Sequence, residues 1–286
     1  MPSLIDIRRR IRSVQNTQQI TKAMKMVSTA KLRRAQDRVI AARPYAAMMQ
    51  QVLSNVAAAA MADEKLKAHP LLARRTEQRV QLVLLTSDRG LAGAFNSNLI
   101  KAAMQFVNSR PPGSVQVEVI GRKGADFFRK RPGLLSGEYI GIADKARYSD
   151  AAGIAGKLIG RYQNAEVDAV HLLFNEFRSV LSQKLFETRL LPVELAAEGG
   201  GRDYIYEQPP EQLLATLLPR YVEVGLYRAM LESAAAEHAA RMTAMDAATT
   251  NAGDVIDKLT LFMNRVRQAS ITKEIIEVVS GSAALE

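Results

Sequence analysis

Apolar and polar positions follow three different rhythms along this chain. From the N-terminus, Leu4, Ile7, Ile11 and Val14 recur at spacings of three and four. The polar patch QNTQQ (15–19) interrupts them, and Ile20, Met24 and Val27, then Leu32, Ala35, Val39 and Ala42, take up the stripe again. This spacing, with no glycine before Gly90, predicts one long helix. Pro44 lacks the N–H that an internal helical hydrogen bond needs, so a kink or an end is expected there. The Ala-rich run to about Met61 resumes helical character, and DEKLKAHPLLARRTEQ (63–78) turns polar and irregular, as a linker would.

The middle of the chain shifts to short apolar runs of strand length: RVQLVLLTS (79–87), VQVEVIG (115–121) and VDAVHLLFNEF (167–177), with KLFETRLLPV (184–193) a partner for the last. Helical stretches lie between them at 94–108, 122–130 and 149–164. Such alternation predicts an α/β domain around a mostly parallel sheet. GGGRDYIYEQPPE (199–211) reads as a loop ended by prolines.

The three–four stripe then returns, through Leu217, Tyr221, Val224, Leu231, Ala235, Met242, Met245, Ala252, Ile256, Leu259, Met263 and Val266. Arg228, His238 and Thr249 fill slots between. Pro219 predicts a helix start or kink near that position. The second helical stretch would be roughly 110 Å long and the first roughly 80 Å, lengths that no compact domain holds singly. Two such helices at opposite ends of a chain are expected to pair as an antiparallel coiled coil, with a Rossmann-like α/β domain inserted between them. The division expected is residues 1–62 for the N-terminal coiled-coil helix, 76–200 for the α/β domain and 211–286 for the C-terminal helix. The stripe is thin for a permanent seam. Ala235, His238, Thr249 and Ala252 bury little apolar area, which suggests close approach or an outer surface sheathed by other chains.

Composition narrows the classes. The 286 residues include no cysteine, so disulfides, thiolate metal sites and thiol switches are excluded. No window nears the ~18 consecutive apolar residues of a membrane span. The formal net charge is +10, and its placement is one-sided. Residues 1–43 hold eleven Lys or Arg against Asp6 and Asp37, a balance of +9, whereas residues 211–286 hold seven basic and ten acidic residues, a balance of −3. That asymmetry points to an acidic partner for the N-terminal segment: nucleic acid, an anionic membrane or an acidic protein surface. The helical pattern from Leu4 reads as mature protein rather than as a transit peptide.

One stretch has the parts of a phosphate cradle. TSDRGLAGAFN (86–96) joins a strand to a helix through Gly90 and Gly93. No Lys-Ser/Thr pair follows, as a phosphate loop requires, and the third glycine of a dinucleotide fingerprint is missing. IGRKG (120–124) reads as a second sheet-to-helix connection. His69, His171 and His238 are scattered and read as structural. No carboxylates form a recognisable acid/base pair, no nucleophile elbow occurs, and no metal-ligand spacing is present. Catalytic, cofactor-binding and metal sites are therefore all expected to be absent.

QNTQQITKAMKMVSTAKLRRAQ (15–36), RQASITKEIIEVVSG (267–281), TSDRGLAGAFN and DYIYEQPPEQLL (203–214) together resemble the γ subunit of F-type ATP synthases, over essentially the whole chain. The family's C-terminal signature appears as Ile271-Thr272-Lys273-Glu274, Glu277 and Gly281, with Ser282 where alanine is usual. The resemblance implies a non-catalytic rotor shaft, free of cofactors. It would couple proton-driven rotation of the c-ring of Fo to ATP synthesis at the α and β subunits of F1, and regulate ATPase activity and proton flow. It implies β-subunit contacts at Met24, Lys25, Arg267, Gln268 and Thr272, and contacts with the c-ring and the ε subunit at Tyr204, Tyr206 and Glu207. Contact near Asp88 and Arg89 is a further implication. The apolar tail would sit in a hydrophobic bearing. It implies a peripheral place at the cytoplasmic face of the bacterial inner membrane, touching membrane only through Fo, and no nucleic acid. A nucleotide-dependent enzyme built on the α/β domain and a nucleic-acid-binding coiled coil are the competing readings.

Overall fold

The computed structural model describes residues 3–60, 69–180, 182–194 and 209–283. Among the described residues ten elements follow one another: α1 (Leu4–Ala60), β1 (Val80–Leu85), α2 (Phe95–Asn108), β2 (Val115–Ile120), α3 (Arg122–Phe128), β3 (Leu135–Tyr139), α4 (Tyr148–Gln163), β4 (Ala169–Phe177), β5 (Gln183–Leu191) and α5 (Pro210–Ala283). The chain divides into two compact units, residues 1–28 with 242–286, and residues 29–241.

Both terminal helices pass through their prolines. Pro44 lies inside α1 and Pro219 inside α5, so α1 does not end at the first and α5 does not start at the second. A proline deprives the carbonyl four residues back of its donor, here those of Ile40 and Ala215. Both residues are exposed, so water can satisfy the freed oxygens and the helix need not end.

In the larger unit, the five-stranded sheet has the order β3-β2-β1-β4-β5. β1 pairs in parallel with β2 and β4, β2 in parallel with β3, and β5 closes the sheet antiparallel to β4. The α/β domain with a mostly parallel sheet is as expected. All six residues of the central strand β1 are buried, as a strand covered on both faces requires. Helix α2 packs on β1 and β4, α3 on β2 and β3, and α4 on β4. The sheet has one strand that sequence reasoning missed. β3 is LSGEY, an edge strand of alternately half-exposed and exposed residues, with too little apolar character to register as a strand.

The stretch read as a linker is partly core. Leu71 is fully buried and its carbonyl accepts the Val193 N–H at 2.9 Å. The Arg75 guanidinium lies 4.7 Å from the centre of the Tyr162 ring and donates to the Tyr162 carbonyl, and just past the stretch Arg79 pairs with buried Asp168 at 2.9 Å. A polar stretch hides such work when its cations cover aromatic rings and buried carboxylates.

Helix α5 crosses the same unit with every residue from Ala229 to Ala239 buried. A helix covered all round needs small side chains, and ESAAAEHAA (232–240) supplies them. Gly225 lets it approach β5, since a Cβ there would stand 3.2 Å from Leu190 Cδ1.

Candidate functional site

Two places bear on function: the helix pair of the smaller unit and the turn TSDRGLAGAFN of the larger one.

In the smaller unit the two helices run antiparallel. Lys25 Nζ meets Asp246 at 2.5 Å, the Thr21 and Thr249 hydroxyls lie 2.8 Å apart, and Gln18 Nε2 donates to the Thr249 carbonyl at 3.3 Å. The buried positions on α1 are Ile7, Thr21 and Ser28, while Ile20 and Val27 are 59% and 58% exposed. The expected stripe through Ile20 and Val27 is therefore corrected. Between Val14 and Leu32 the seam is polar, and the apolar side chains Ile20, Met26 and Val27 face outward. On α5 the stripe holds through Met245 and Ala252, and a Cβ on Gly253 would come 3.2 Å from Gln18 Nε2. A seam of hydroxyl, amide and small groups permits close approach but contributes little apolar burial.

Beyond residue 266 the helix loses its cover. Arg267, Gln268 and Thr272 are exposed, and Thr272 Oγ1 donates to the Gln268 carbonyl one turn back at 3.0 Å. Arg267 has no ion pair among the described residues. Ile271, Ile275, Ile276, Val278 and Val279 are 49%, 58%, 59%, 72% and 59% exposed, a concentration of apolar surface that marks an interface. Met24 and Lys25 are half-buried, Lys25 through its pairing with Asp246. The candidate contacts thus occupy both helices of this unit. Tyr204, Tyr206 and Glu207 lie outside the described residues.

The turn in the larger unit uses its polar groups on the fold. Asn96 Oδ1 accepts the Ser87 N–H at 3.0 Å, and Ser87 Oγ donates to the Arg89 carbonyl at 2.6 Å. Asp88 Oδ1 accepts the N–H groups of Arg122 and Gly141, at 3.1 and 2.9 Å, tying the turn to the start of α3 and to the loop after β3. Arg241 Nη2 donates to the carbonyls of Arg89 and Gly90, each at 3.2 Å, and to Glu237 at 2.6 Å. The turn is closed against α5 by a guanidinium aimed at its carbonyls, the reverse of a phosphate cradle, whose N–H groups point to a ligand. Gly121, at φ 103, shows why IGRKG carries glycine: a Cβ there would fall 2.2 Å from the Thr86 carbonyl oxygen. This segment is the sheet-to-helix connection expected.

Beside the turn lies a buried titrating group. His238, 3% exposed, meets Asp144 through Nε2 at 3.0 Å, and its Nδ1 stands 3.5 Å from Arg241 Nη1. Burial lowers the imidazole pKa to about 4, although Asp144 favours the cation. Burial raises Asp144, but the Lys31 ammonium at 2.6 Å and the charges of His238 and Arg89 bring it below the ordinary range. Burial lifts Glu237, with Arg241 opposing. Arg241, Asp144 and Glu232 were not singled out by sequence reasoning. Asp144 is a lone carboxylate in a loop, and Arg241 and Glu232 are isolated charges on α5 with no local pattern; for Glu232 a charge inside an Ala run is the one signal available.

These features define a class of protein: two long terminal helices that pair antiparallel, an α/β domain inserted between them, and no arrangement for chemistry at the turn that resembles a nucleotide site. Comparison with known proteins makes the class specific. The family model described as "ATP synthase" matches residues 3–285. The ATP synthase gamma chain of Solibacter usitatus (strain Ellin6076) is 64% identical over 286 residues, covering 100% of both chains. Among solved structures, a chain from the central stalk and c-ring of the Tetrahymena thermophila mitochondrial ATP synthase matches with TM-score 0.60 and 26% identity, over 80% of this chain and 99% of that one. A chain from the OSCP, F1 and c-ring structure of the Euglena gracilis mitochondrial ATP synthase matches in fold, with TM-score 0.67 and 19% identity, over 99% of this chain and 94% of that one. The chain belongs to the ATP synthase gamma chain family. The expectation of a non-catalytic subunit follows that membership.

Proposed function

We propose that this chain is the rotor shaft of an F1Fo ATP synthase. It carries rotation of the c-ring to the catalytic interfaces of the α and β subunits and so regulates ATPase activity and proton flow. The observation that carries the reading is the pairing of a polar, small-residue seam with an outward apolar surface on the same two helices. A self-sufficient coiled coil would bury Ile20, Val27, Ile275 and Ile276; here they face outward. Such surface suits a helix pair enclosed by a ring of other subunits. The exposed guanidinium of Arg267 offers a planar fork to a carbonyl or carboxylate on a β subunit. Gln268 and Thr272 lie beside it, and Met24 and Lys25 would face the base of that subunit.

Residues 76–200 would form the globular domain outside the ring, and 1–62 with 211–286 the coiled coil. Tyr204, Tyr206 and Glu207 are proposed to meet the c-ring and the ε subunit. The complex would lie at the cytoplasmic face of a bacterial inner membrane. Support comes from the Solibacter usitatus relative. The test is reconstitution: the full chain mixed with purified α and β subunits should assemble into an ATP-hydrolysing complex. Well-folded partners that neither assemble with it nor hydrolyse ATP better in its presence would overturn the reading.

A further inference from the structure

The larger unit contains a cavity of about 540 Å³ whose walls come from α1, the loop preceding α4, and α5. Its floor is apolar, with Leu231, Ala234 and Ala146 all buried and the Tyr227 ring at one side. Around its mouth stand Arg34 and Arg38, one turn apart on α1, and Lys145 and Arg147 on the loop. These four side chains have no anionic partner among the described residues. The cavity's only carboxylate, Asp144, is already engaged by Lys31 at 2.6 Å and by His238 at 3.0 Å. Four unneutralised cations therefore converge on one concave site. Like charges held this close repel one another, and an anion bound among them would relieve that repulsion.

The size and charge of the cavity select the ligand. Small-molecule sites run from roughly 300 to 1,000 Å³, a range in which this cavity falls. Guanidinium forks fit phosphate oxygens bidentately, and three of the four cations are arginines. A phosphate chain carries three to four negative charges in a length that four cations can surround.

We propose that this cavity is a binding site for a short phosphate chain, either free inorganic polyphosphate or the polyphosphate of a nucleotide. Arg34, Arg38, Lys145 and Arg147 hold the phosphates, and Lys31, Asp144 and His238, paired with one another, complete the lining. The site is separate from the turn TSDRGLAGAFN, and its occupancy involves no hydrolysis. It stands or falls independently of the shaft reading, since binding is measured on the chain alone.

The test is titration calorimetry of the full-length chain at about 50 mM salt, where phosphate contacts are little screened. Sodium tripolyphosphate and magnesium-free ATP are the two probes, and an acidic peptide of similar charge is the comparison. One-to-one binding with Kd below about 1 mM is expected for tripolyphosphate. Equal affinity for ATP means that the phosphate chain alone is recognised; tighter ATP means that the nucleoside also lies against Tyr227. Arg34→Gln with Arg147→Gln should weaken binding by about tenfold or more. Arg122→Gln with Lys130→Gln removes the same charge from exposed positions elsewhere in the unit and should change it by less than about twofold. Circular dichroism on both double variants checks that they are folded. The proposal is overturned if neither phosphate compound binds saturably, if only the acidic peptide binds, or if the two double variants weaken binding equally.

Discussion

The Arg43 guanidinium reaches the Glu232 carboxylate at 3.0 Å, joining α1 to α5 across a carboxylate whose side chain is only 1% exposed. Arg43 also donates to the Phe177 carbonyl at 3.2 Å, and Glu232 accepts the Phe177 N–H at 3.1 Å. Three elements therefore meet at one ion pair: the two long helices and the end of β4. Arg43→Ala would leave a buried carboxylate with one N–H donor. Its guanidinium is half-exposed, so the expected cost is about 2 kcal/mol, below the range for a fully buried pair. Urea unfolding followed by circular dichroism measures it. A change under about 0.5 kcal/mol would show that water replaces the guanidinium without loss.

The Thr21–Thr249 contact should behave differently. The two hydroxyls meet at 2.8 Å, and the carbonyls they also touch, of Gln18 and Met245, belong to intact helix. Replacing both by valine removes donor and acceptor together and conserves shape, so the double variant should unfold within about 0.5 kcal/mol of the parent. Either single variant should be the less stable, by up to about 1 kcal/mol. A double variant less stable than both singles would mean that the hydroxyls, and not the methyl packing, hold the helices together.

Much of the fold was legible because the physics is local. The run VQLVLL has the length and aliphatic character of a buried strand, whereas the small residues of ESAAAEHAA, read as a thin seam, are buried within the larger unit of this same chain. The seam between Val14 and Leu32 was misread for an equally physical reason. Hydropathy cannot separate an apolar side chain that faces its partner helix from one held ready for another subunit, so Ile20 and Val27 were placed where Thr21 and Ser28 belong. β3 was missed because an edge strand needs few apolar residues, and Leu71 because a single anchor in a polar stretch has no period. Arg267 and Gln268 carry no chemical pattern of their own, and only their setting in the motif singled them out.

Acid should expose the cost of burying His238. The imidazole pKa is about 4 in the folded chain against an ordinary 6.5, so between these values the unfolded chain binds the proton and the folded chain does not. The stability this group contributes is complete above about pH 6.5 and is lost as pH falls towards about 4. At pH 5 the loss should approach about 2 kcal/mol. Glu237, raised by burial, acts in the opposite sense, and His69 and His171, both lowered by burial, in the same sense. The difference between the parent and His238→Asn isolates the one residue. The urea midpoint of the parent should fall more than that of the variant between pH 7 and pH 5. Parallel curves would mean that Asp144 holds the imidazole protonated.

Arg267→Ala tests the proposed β-subunit contact. The side chain is exposed, so the isolated variant should unfold within about 0.5 kcal/mol of the parent. Assembly with α and β subunits, or the ATPase rate of the assembled complex, should fall by about fivefold or more, as loss of a charge-assisted hydrogen bond implies. Gln268→Ala should follow in the same direction. Unchanged assembly and rate would remove Arg267 from the interface while leaving the fold untouched.

The turn at Leu91 stores strain that a single substitution should release. Leu91 has φ 62 and is 63% exposed, and Arg241 grips the two carbonyls just before it. A left-handed backbone costs a residue with a Cβ about 1–2 kcal/mol, a cost that asparagine largely escapes through its local hydrogen bonding. The leucine side chain recovers little by burial here. Leu91→Asn should therefore raise stability by about 0.5–1 kcal/mol, whereas Leu91→Ala, which keeps the Cβ, should raise it by none. Thermal unfolding of both variants distinguishes strain at the backbone from packing of the side chain. Destabilisation by both would show that the exposed leucine is held by contacts worth more than the strain.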